Sequence, residues 1–349
     1  MKQKNGENMN TLFQSVVFFM LAAAATIAYG ATPALTYQPD IKGPVPIPPG
    51  EKMLKTITAE PWFKVADEGL HLEGPSFDAD GNLFFVEVFG GRVFKLTPDR
   101  KLFTIMEKKD LSPAGMAIHK NGRIYIAGLG NFRDAGSILS IKPDGSDLKT
   151  VVGPEQGYLP DDLVFDDQGG FYFTDFRGAS TKKTGGVYYV SPDHSEITPI
   201  LQNMAIANGV ALGSGSKEKV LWVTEFSAGL LHRVTMSDAT TIGLAGTSIP
   251  YQFTGPAPDS LRTDQDGNVY VAMYGQGRIL VFNKNGIPIG QILLPGREDG
   301  RNLHSTNMAF RPGTNELLIV TNDGELGQGA QIFRAKGFAK GSMLYANQP

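Results

Sequence analysis

The sequence contains no cysteine among its 349 residues. This absence excludes disulfide bonds, thiolate zinc sites, iron–sulfur clusters, a cysteine nucleophile and a lipidated N-terminal cysteine. An excess of charge of one sign is also lacking, because 32 Lys and Arg residues face 35 Asp and Glu residues and the net charge is −3. A chain without a basic surplus cannot neutralise a phosphate backbone, so we expect no nucleic-acid partner.

Helical patterning is scarce as well. No segment carries a sustained apolar period of 3.6 residues, and after residue 30 no apolar run approaches the 18 residues that indicate a membrane span. Glycine, by contrast, is abundant: its 42 residues make up about 12% of the chain, against about 7% in an average protein. This density of turn formers argues against a helix bundle and favours a protein of many short strands.

The first 30 residues predict a secretory signal peptide. Residues 16–25 (VVFFMLAAAA) form an unbroken apolar run, and a small-x-small triplet at residues 28–30 precedes the expected cleavage point. The alternative is a membrane anchor, for which the run is short against about 30 Å of hydrocarbon. We therefore expect an exported protein, periplasmic or secreted, with no membrane span after cleavage. Residues 31–55 are a proline-rich, extended lead-in, and residues 56–349 form one domain.

One pattern recurs six times in this domain: an apolar strand, an Asp/Asn/Gly turn, a strand of aromatic and aliphatic residues, and then a glycine-rich turn. The copies begin at residues 76 (SFDADGNLFFVEVFGG), 116 (MAIHKNGRIYIAGLG), 163 (LVFDDQGGFYFTDFRG), 209 (GVALGSGSKEKVLWVTEF), 260 (SLRTDQDGNVYVAMYGQG) and 307 (NMAFRPGTNELLIVTND). Six copies with about four strands each predict an all-β protein, a six-bladed β-propeller with four antiparallel strands per blade. We expect Lys55–Thr58 to close the ring by pairing with strands from the C-terminal end.

The repeats also predict which residues meet on the propeller axis. Glu73 lies four positions before the first-strand Phe77, and equivalent positions at the start of innermost strands converge on one mouth of the channel. The equivalent residues are Glu73, Ala114, Asp161, Asn208, Asp259 and Thr306, spaced 41 to 51 residues apart. Four of the six carry a carboxylate or amide oxygen, and three carboxylates at one mouth require a compensating cation. An all-oxygen set suits Ca²⁺ before Mg²⁺ and disfavours zinc.

The sequence resembles the senescence-marker-protein/gluconolactonase family of calcium-dependent six-bladed propellers, and within this family it resembles the bacterial lactonase branch. The resemblance extends from about Thr56 to Lys340. It is carried by LEGPSFD (72–78), IHKNGRIYIAGLGNFRDAG (118–136), DDLVFDDQGGFYFTDFRG (161–178), TGGVYYVSPD (184–193), IANGVAL (206–212), VLWVTE (220–225), APDS (257–260) and NVYVAMYGQGRILVFNKNGIPIGQILLPGR (268–297).

The resemblance implies a catalytic Ca²⁺ bound by four residues, with Asp259 also transferring the proton; the four are Glu73, Asp161, Asn208 and Asp259. It also implies a second, structural Ca²⁺ held by loop positions that fall on Asp134, Gly136, Tyr158 and Ser260. Here the pattern departs from the family. Asp134 stands where the family has a small hydroxyl residue, and Val152 and Gly153 stand where it has an aspartate.

We therefore expect a hydrolase that opens a small-molecule lactone to a hydroxy acid. Two alternatives remain open at this stage. One is a calcium-dependent phosphotriesterase-like hydrolase, since axial ligands alone do not separate the two esters. The other is a non-catalytic binding propeller that calcium stabilises. The sequence leaves the choice of lactone and the oligomeric state open.

Overall fold

A computed structural model describes residues 44–214, 219–322 and 329–348 of the protein. They belong to one compact unit, Gly43–Pro349. The predicted signal peptide and residues 31–43 of the lead-in lie outside the described residues, so the predictions for these segments remain predictions. Within the described ranges, no helix is both long enough and apolar enough to cross a membrane.

Twenty-five strands form six sheets, one for each predicted blade, and in the described ranges the remaining regular structure is limited to short 3-10 turns. The first two strands are Lys55–Thr58 (β1) and Glu60–Ala66 (β2). Blade one contains Leu72–Phe77 (β3), Leu83–Glu87 (β4), Arg92–Leu96 (β5) and Leu102–Glu107 (β6). Blade two contains Pro113–Ile118 (β7), Ile124–Gly128 (β8), Ser137–Ile141 (β9) and Lys149–Val152 (β10). Blade three contains Pro160–Phe165 (β11), Phe171–Asp175 (β12), Gly185–Val190 (β13) and Ile197–Met204 (β14).

The second half of the chain continues the same order. Blade four contains Ala207–Leu212 (β15), Lys219–Glu225 (β16), Leu230–Met236 (β17) and Ile242–Gln252 (β18). Blade five contains Pro258–Thr263 (β19), Val269–Met273 (β20), Arg278–Phe282 (β21) and Pro288–Leu293 (β22). Blade six contains His304–Phe310 (β23), Glu316–Asn322 (β24) and Ala330–Lys336 (β25). The 3-10 turns are Pro49–Glu51, Lys109–Leu111, Pro154–Gln156, Arg297–Asp299 and Tyr345–Asn347. The six-bladed all-β prediction is confirmed.

The ring closes through a different segment from the one that the sequence predicted. Lys55–Thr58 does not pair with the C-terminal strands; it runs parallel to β22 and adds a fifth strand to the outside of blade five. The closing strand is Glu60–Ala66, which pairs antiparallel with β25 and completes blade six. The prediction named the strand before the one that closes the ring. The two segments are both short and extended, and which of them pairs with blade six depends on the sheet edges that the folded ring leaves free.

Six large hydrophobic clusters form the core of the described residues, and each lies between two neighbouring blades; a small seventh cluster contains Ala114, Leu129 and Leu159. Phe84 and Val86 of blade one, for example, pack against Ile124 and Ile126 of blade two. The cluster between the last and first blades includes Leu318 and the fully buried Leu72. A blade buries its two faces only against its neighbours, so the closed ring is the unit that folds.

Each innermost strand is irregular near its start. The pairing with the second strand shifts register between Glu73 and Ser76 of blade one, and the other five blades show shifts at matching places. Such bulges re-aim side chains locally. Three of the six residues after the axial positions are glycines. At Gly115 a Cβ would collide with the carbonyl oxygen of Asp161, so glycine there lets the inner strands of blades two and three approach.

Candidate functional site

The six repeat-equivalent positions all fall at the start of innermost strands, as predicted. Glu73, Asp161, Asn208 and Asp259 lie in β3, β11, β15 and β19, and all are buried, with at most 7% of their surface exposed. The remaining two positions carry no carboxylate. Ala114 is buried, and Thr306 uses its hydroxyl to donate a hydrogen bond to the carbonyl oxygen of Leu72 (2.7 Å).

Burial and mutual repulsion shape the electrostatics of this group. Burial raises the pKa of Glu73 to about 8, against hydrogen bonds from Asn307 and from the Gly74 N–H that lower it. Burial likewise raises the pKa of Asp161 and of Asp259 well above the ordinary value, and the charge of Glu73 raises both further. A hydrogen bond from Asn208 partly opposes the shift at Asp259. Three such carboxylates are costly to ionise together without a cation.

The amide of Asn208 supplies an independent observation. Its Oδ1 atom is buried and accepts no hydrogen bond. A buried acceptor without a donor is rare, because each costs about 1–3 kcal/mol. A cation that prefers oxygen ligands would satisfy Oδ1, and the oxygen chemistry of this amide and the three carboxylates suits Ca²⁺. Within the described residues, no three His, Cys, Asp or Glu side chains are arranged closely enough to hold a metal ion. Calcium binding therefore rests on the chemistry of the donor set.

A fourth carboxylate, that of Asp162, lies directly beside the axial group. Asp162 is fully buried, and its Oδ2 atom accepts a hydrogen bond from the Arg262 guanidinium (2.8 Å), which comes from blade five. The same carboxylate accepts the backbone N–H of Leu163 (3.0 Å) and that of Val210 in blade four (3.3 Å). One side chain thus joins the inner strands of three blades.

Aromatic and imidazole rings surround the same mouth, because the second strand of each blade ends where the innermost strand begins. Tyr274 stacks on His304 (4.4 Å between ring centroids, 10° between planes) and on His71 (6.2 Å, 21°). Burial lowers the pKa of His71 to about 4, so this ring is neutral at pH 7. We call the connected set the aromatic collar; its members are Phe89, Phe132, His71, Tyr274, His304, Phe226 and Phe176.

The predicted ligands of a second calcium ion are only partly brought together. The Gly136 N–H donates to the Tyr158 carbonyl (3.0 Å), so these two residues adjoin, with Asp134 two residues before Gly136. The Oδ1 atom of Asp134 accepts a hydrogen bond from Asn131 (2.9 Å). Ser260 lies in the innermost strand of blade five, immediately after Asp259. The second ion stays a prediction.

The opposite end of the channel holds a cavity of about 260 Å³. Its walls come from the later residues of the innermost strands, and its floor is the C-terminal segment 341–348. Arg262 lines this cavity while its guanidinium pairs with Asp162. The Asp162–Arg262 pair thus lies between the axial carboxylates and the cavity.

The sequence analysis did not predict that Asp162, Arg262 and the aromatic collar belong to the site. The repeats contained a signal for the first two, since Asp162 follows an axial position directly and Arg262 lies three positions after one. Residues three positions after the axial ones are Ser76, Ala117, Val164, Ala211, Arg262 and Ala309. Five are small or medium-sized and one is long and charged, which marks Arg262 as the side chain able to cross the channel.

The family model for the SMP-30/gluconolactonase/LRE-like region matches residues 72–323, which span all four axial oxygen donors. The chain belongs to the SMP-30/gluconolactonase/LRE-like family. Within this family, a protein of Staphylococcus saprophyticus called lactonase drp35 is 51% identical over 319 residues, covering 90% of this chain and 97% of the relative. Its namesake in Staphylococcus aureus is 49% identical over 320 residues, covering 90% and 98%.

Solved structures agree on the fold. A luciferin-regenerating enzyme superposes with a TM-score of 0.67 at 18% identity, covering 82% of this chain and 97% of its own. A calcium-binding regucalcin from Agrobacterium tumefaciens gives 0.66 at 16% identity, covering 83% and 98%. A gluconolactonase from Xanthomonas campestris gives 0.64 at 18% identity, covering 81% and 96%. At these identities the likeness shows the propeller fold, and the family assignment rests on the sequence match.

Proposed function

We propose that this family member is a calcium-dependent lactonase, which hydrolyses a cyclic ester to a hydroxy acid. Two relatives about half identical over nine-tenths of the chain bear the name lactonase. The observation that carries the proposal is the axial donor set: three buried carboxylates with raised pKa values beside the unpaired Oδ1 atom of Asn208. These buried oxygen atoms require a cation to compensate them, and aromatic and imidazole rings line the channel mouth at which they lie.

Glu73, Asp161, Asn208 and Asp259 would hold Ca²⁺. When bound, the ion would supply Lewis-acid stabilisation to the carbonyl oxygen of the ester as negative charge develops there. Asp259 has a second role, which is to accept a proton from the attacking water. Burial raises the pKa of Asp259, which strengthens its carboxylate as a base, and a bound cation would act in the opposite direction.

The proposed hydrolysis needs no proton donor or acceptor other than the attacking water and Asp259. The water oxygen forms a bond to the carbonyl carbon as its proton moves to Asp259, and the ring C–O bond then breaks. The proton on Asp259 passes to the leaving alkoxide, which becomes the hydroxyl of the product. The aromatic collar provides an apolar wall for the substrate ring and limits the water around it, which strengthens electrostatic interactions in the site.

The donor set does not by itself show whether the substrate is a carboxylic ester or a phosphotriester. A non-catalytic binding propeller could also bind calcium through the same donor set. The experiment is a panel of lactones of several ring sizes and one phosphotriester, assayed with and without added Ca²⁺. We expect hydrolysis of lactones only. The Asp259→Asn variant should bind calcium more weakly and should not hydrolyse lactones even when calcium saturates it, whereas Asp264→Asn, just after the far end of the same strand, should keep both properties. Activity on the phosphotriester alone, or no turnover of any ester, would overturn the proposal.

A further inference from the structure

The innermost strands contain one interaction that spans the channel. Three positions after each axial residue, five of the six side chains are short, and all six residues line the cavity at this end of the channel. The sixth is Arg262, and its guanidinium reaches from blade five to Asp162 in blade three. Only 11% of the Arg262 side chain and 1% of the Asp162 side chain are exposed, so the pair is shielded from water.

The contacts of Asp162 connect the strands that carry three of the four axial oxygen donors. Its own strand, β11, carries Asp161. The Val210 N–H comes from β15, two residues after Asn208, and Arg262 comes from β19, three residues after Asp259. Arg262 also donates to the carbonyl oxygen of Leu261 (2.7 Å), which fixes the guanidinium against its own strand.

We propose that Asp162 and Arg262 are positioning residues, which set the relative placement of Asp161, Asn208 and Asp259 and thereby determine calcium affinity. The inference rests on the proposed function. Neither residue has to touch the ion or the substrate. Buried groups that orient metal ligands in this indirect way commonly change metal affinity or activity by about 10- to 100-fold when they are replaced.

A simpler explanation of the pair is charge compensation, and it makes different predictions. If Arg262 acted only through its positive charge, its replacement by methionine would leave a more negative site and would tighten calcium binding. If the pair positions the ligands, the same replacement weakens calcium binding. The double variant Asp162→Asn/Arg262→Met separates the two explanations without changing the net charge. It should also fold, since replacing both members of a buried ion pair is far milder than removing one.

The experiment measures the Kd of the full chain for Ca²⁺ by isothermal titration calorimetry, together with Tm and with kcat and KM for a lactone that the wild type hydrolyses. The variants are Arg262→Met, Arg262→Lys, Asp162→Asn and the double variant. The matched control is Asp264→Asn. Asp264 is also fully buried and accepts hydrogen bonds from Asn268 and Tyr270, but it lies just after the far end of β19.

We expect the Kd of the double variant and of Arg262→Met to rise about tenfold or more, with kcat falling and with partial recovery in Arg262→Lys. The control should lower Tm and leave Kd and kcat unchanged. A wild-type Kd in the double variant, or tighter binding in Arg262→Met, would overturn the positioning role. A wild type that binds no Ca²⁺ would overturn the proposed function as well, so the wild-type arm and the variant arms report separately on the two proposals.

Discussion

The amide of Asn307 in blade six donates a hydrogen bond to the Oε2 atom of Glu73 in blade one, at 3.0 Å. Both side chains are buried, and the junction they cross is the one where the ring closes. The Oδ1 atom of Asn307 accepts the Met308 N–H (2.8 Å), which fixes the orientation of the amide. A candidate calcium ligand is thus held by the blade that completes the propeller.

This contact predicts the effect of Asn307→Ala. Removing the amide leaves the buried Met308 N–H without its acceptor and leaves the Oε2 atom of Glu73 with one donor, the Gly74 N–H. We therefore expect the free energy of unfolding to fall by about 1–3 kcal/mol. Calcium affinity should fall with it, because Glu73 loses one of the two donors that orient it. Denaturant unfolding and calcium titration measure the two effects. Unchanged values of both would show that Asn307 is not needed to hold Glu73.

The raised pKa of Glu73 predicts how pH changes the stability of the metal-free protein. The pKa rises from 4.5 to about 8 on folding, so folding favours the protonated form. Its contribution is complete below about pH 4.5 and is lost as pH rises through about 8. In chelator, the Tm of the wild type should therefore fall relative to that of Glu73→Gln, which stays neutral, as pH rises from about 4.5 to about 8, and the difference should level off above that. Parallel Tm profiles for the two proteins would contradict this.

The same variant tests the ligand role. Glu73→Gln keeps the size and the hydrogen-bonding oxygen of the side chain and removes its charge, so we expect weaker calcium binding and lower activity with an intact propeller. Circular dichroism tests whether the propeller is intact, and calorimetric titration measures calcium binding. A Kd equal to that of the wild type would remove Glu73 from the ligand set.

The N-terminal segment before blade one should contribute strongly to stability. Glu51 and Arg278 form a buried ion pair (2.6 Å), and the Tyr251 hydroxyl donates to the same carboxylate (2.5 Å). We expect Arg278→Met to lower the free energy of unfolding by about 3–5 kcal/mol, because it leaves a buried carboxylate unpaired. The matched control is Glu60→Gln, which breaks the exposed pair with Arg334 and should leave stability unchanged. Equal effects of the two substitutions would refute the role of the buried pair.

Much of this protein could be predicted from repetition in its sequence. Aligning the six copies located the axial residues, because equivalent positions in a ring lie at equivalent distances from the axis. Repetition could not predict which of two adjacent short strands, Lys55–Thr58 or Glu60–Ala66, closes the ring, because neither belongs to a copy. It also could not predict that Arg262 reaches Asp162, because the repeat gives the position of a side chain and not the direction in which it extends. The stacking of Tyr274 between His71 and His304 brings together rings from three blades, and no local pattern encodes it.

The most direct test of the central claim is a calcium titration of chelator-treated protein, with lactone hydrolysis and bound metal measured in the same samples. A cage of four side chains from four blades is wide, and calcium accepts six to eight oxygens at about 2.3–2.6 Å, whereas magnesium requires a near-ideal octahedron at about 2.0–2.1 Å. We expect hydrolysis to disappear in chelator, to return with Ca²⁺ as the ion binds, and to return poorly with Mg²⁺. Full hydrolysis in excess chelator, with no bound metal by elemental analysis, would contradict the account.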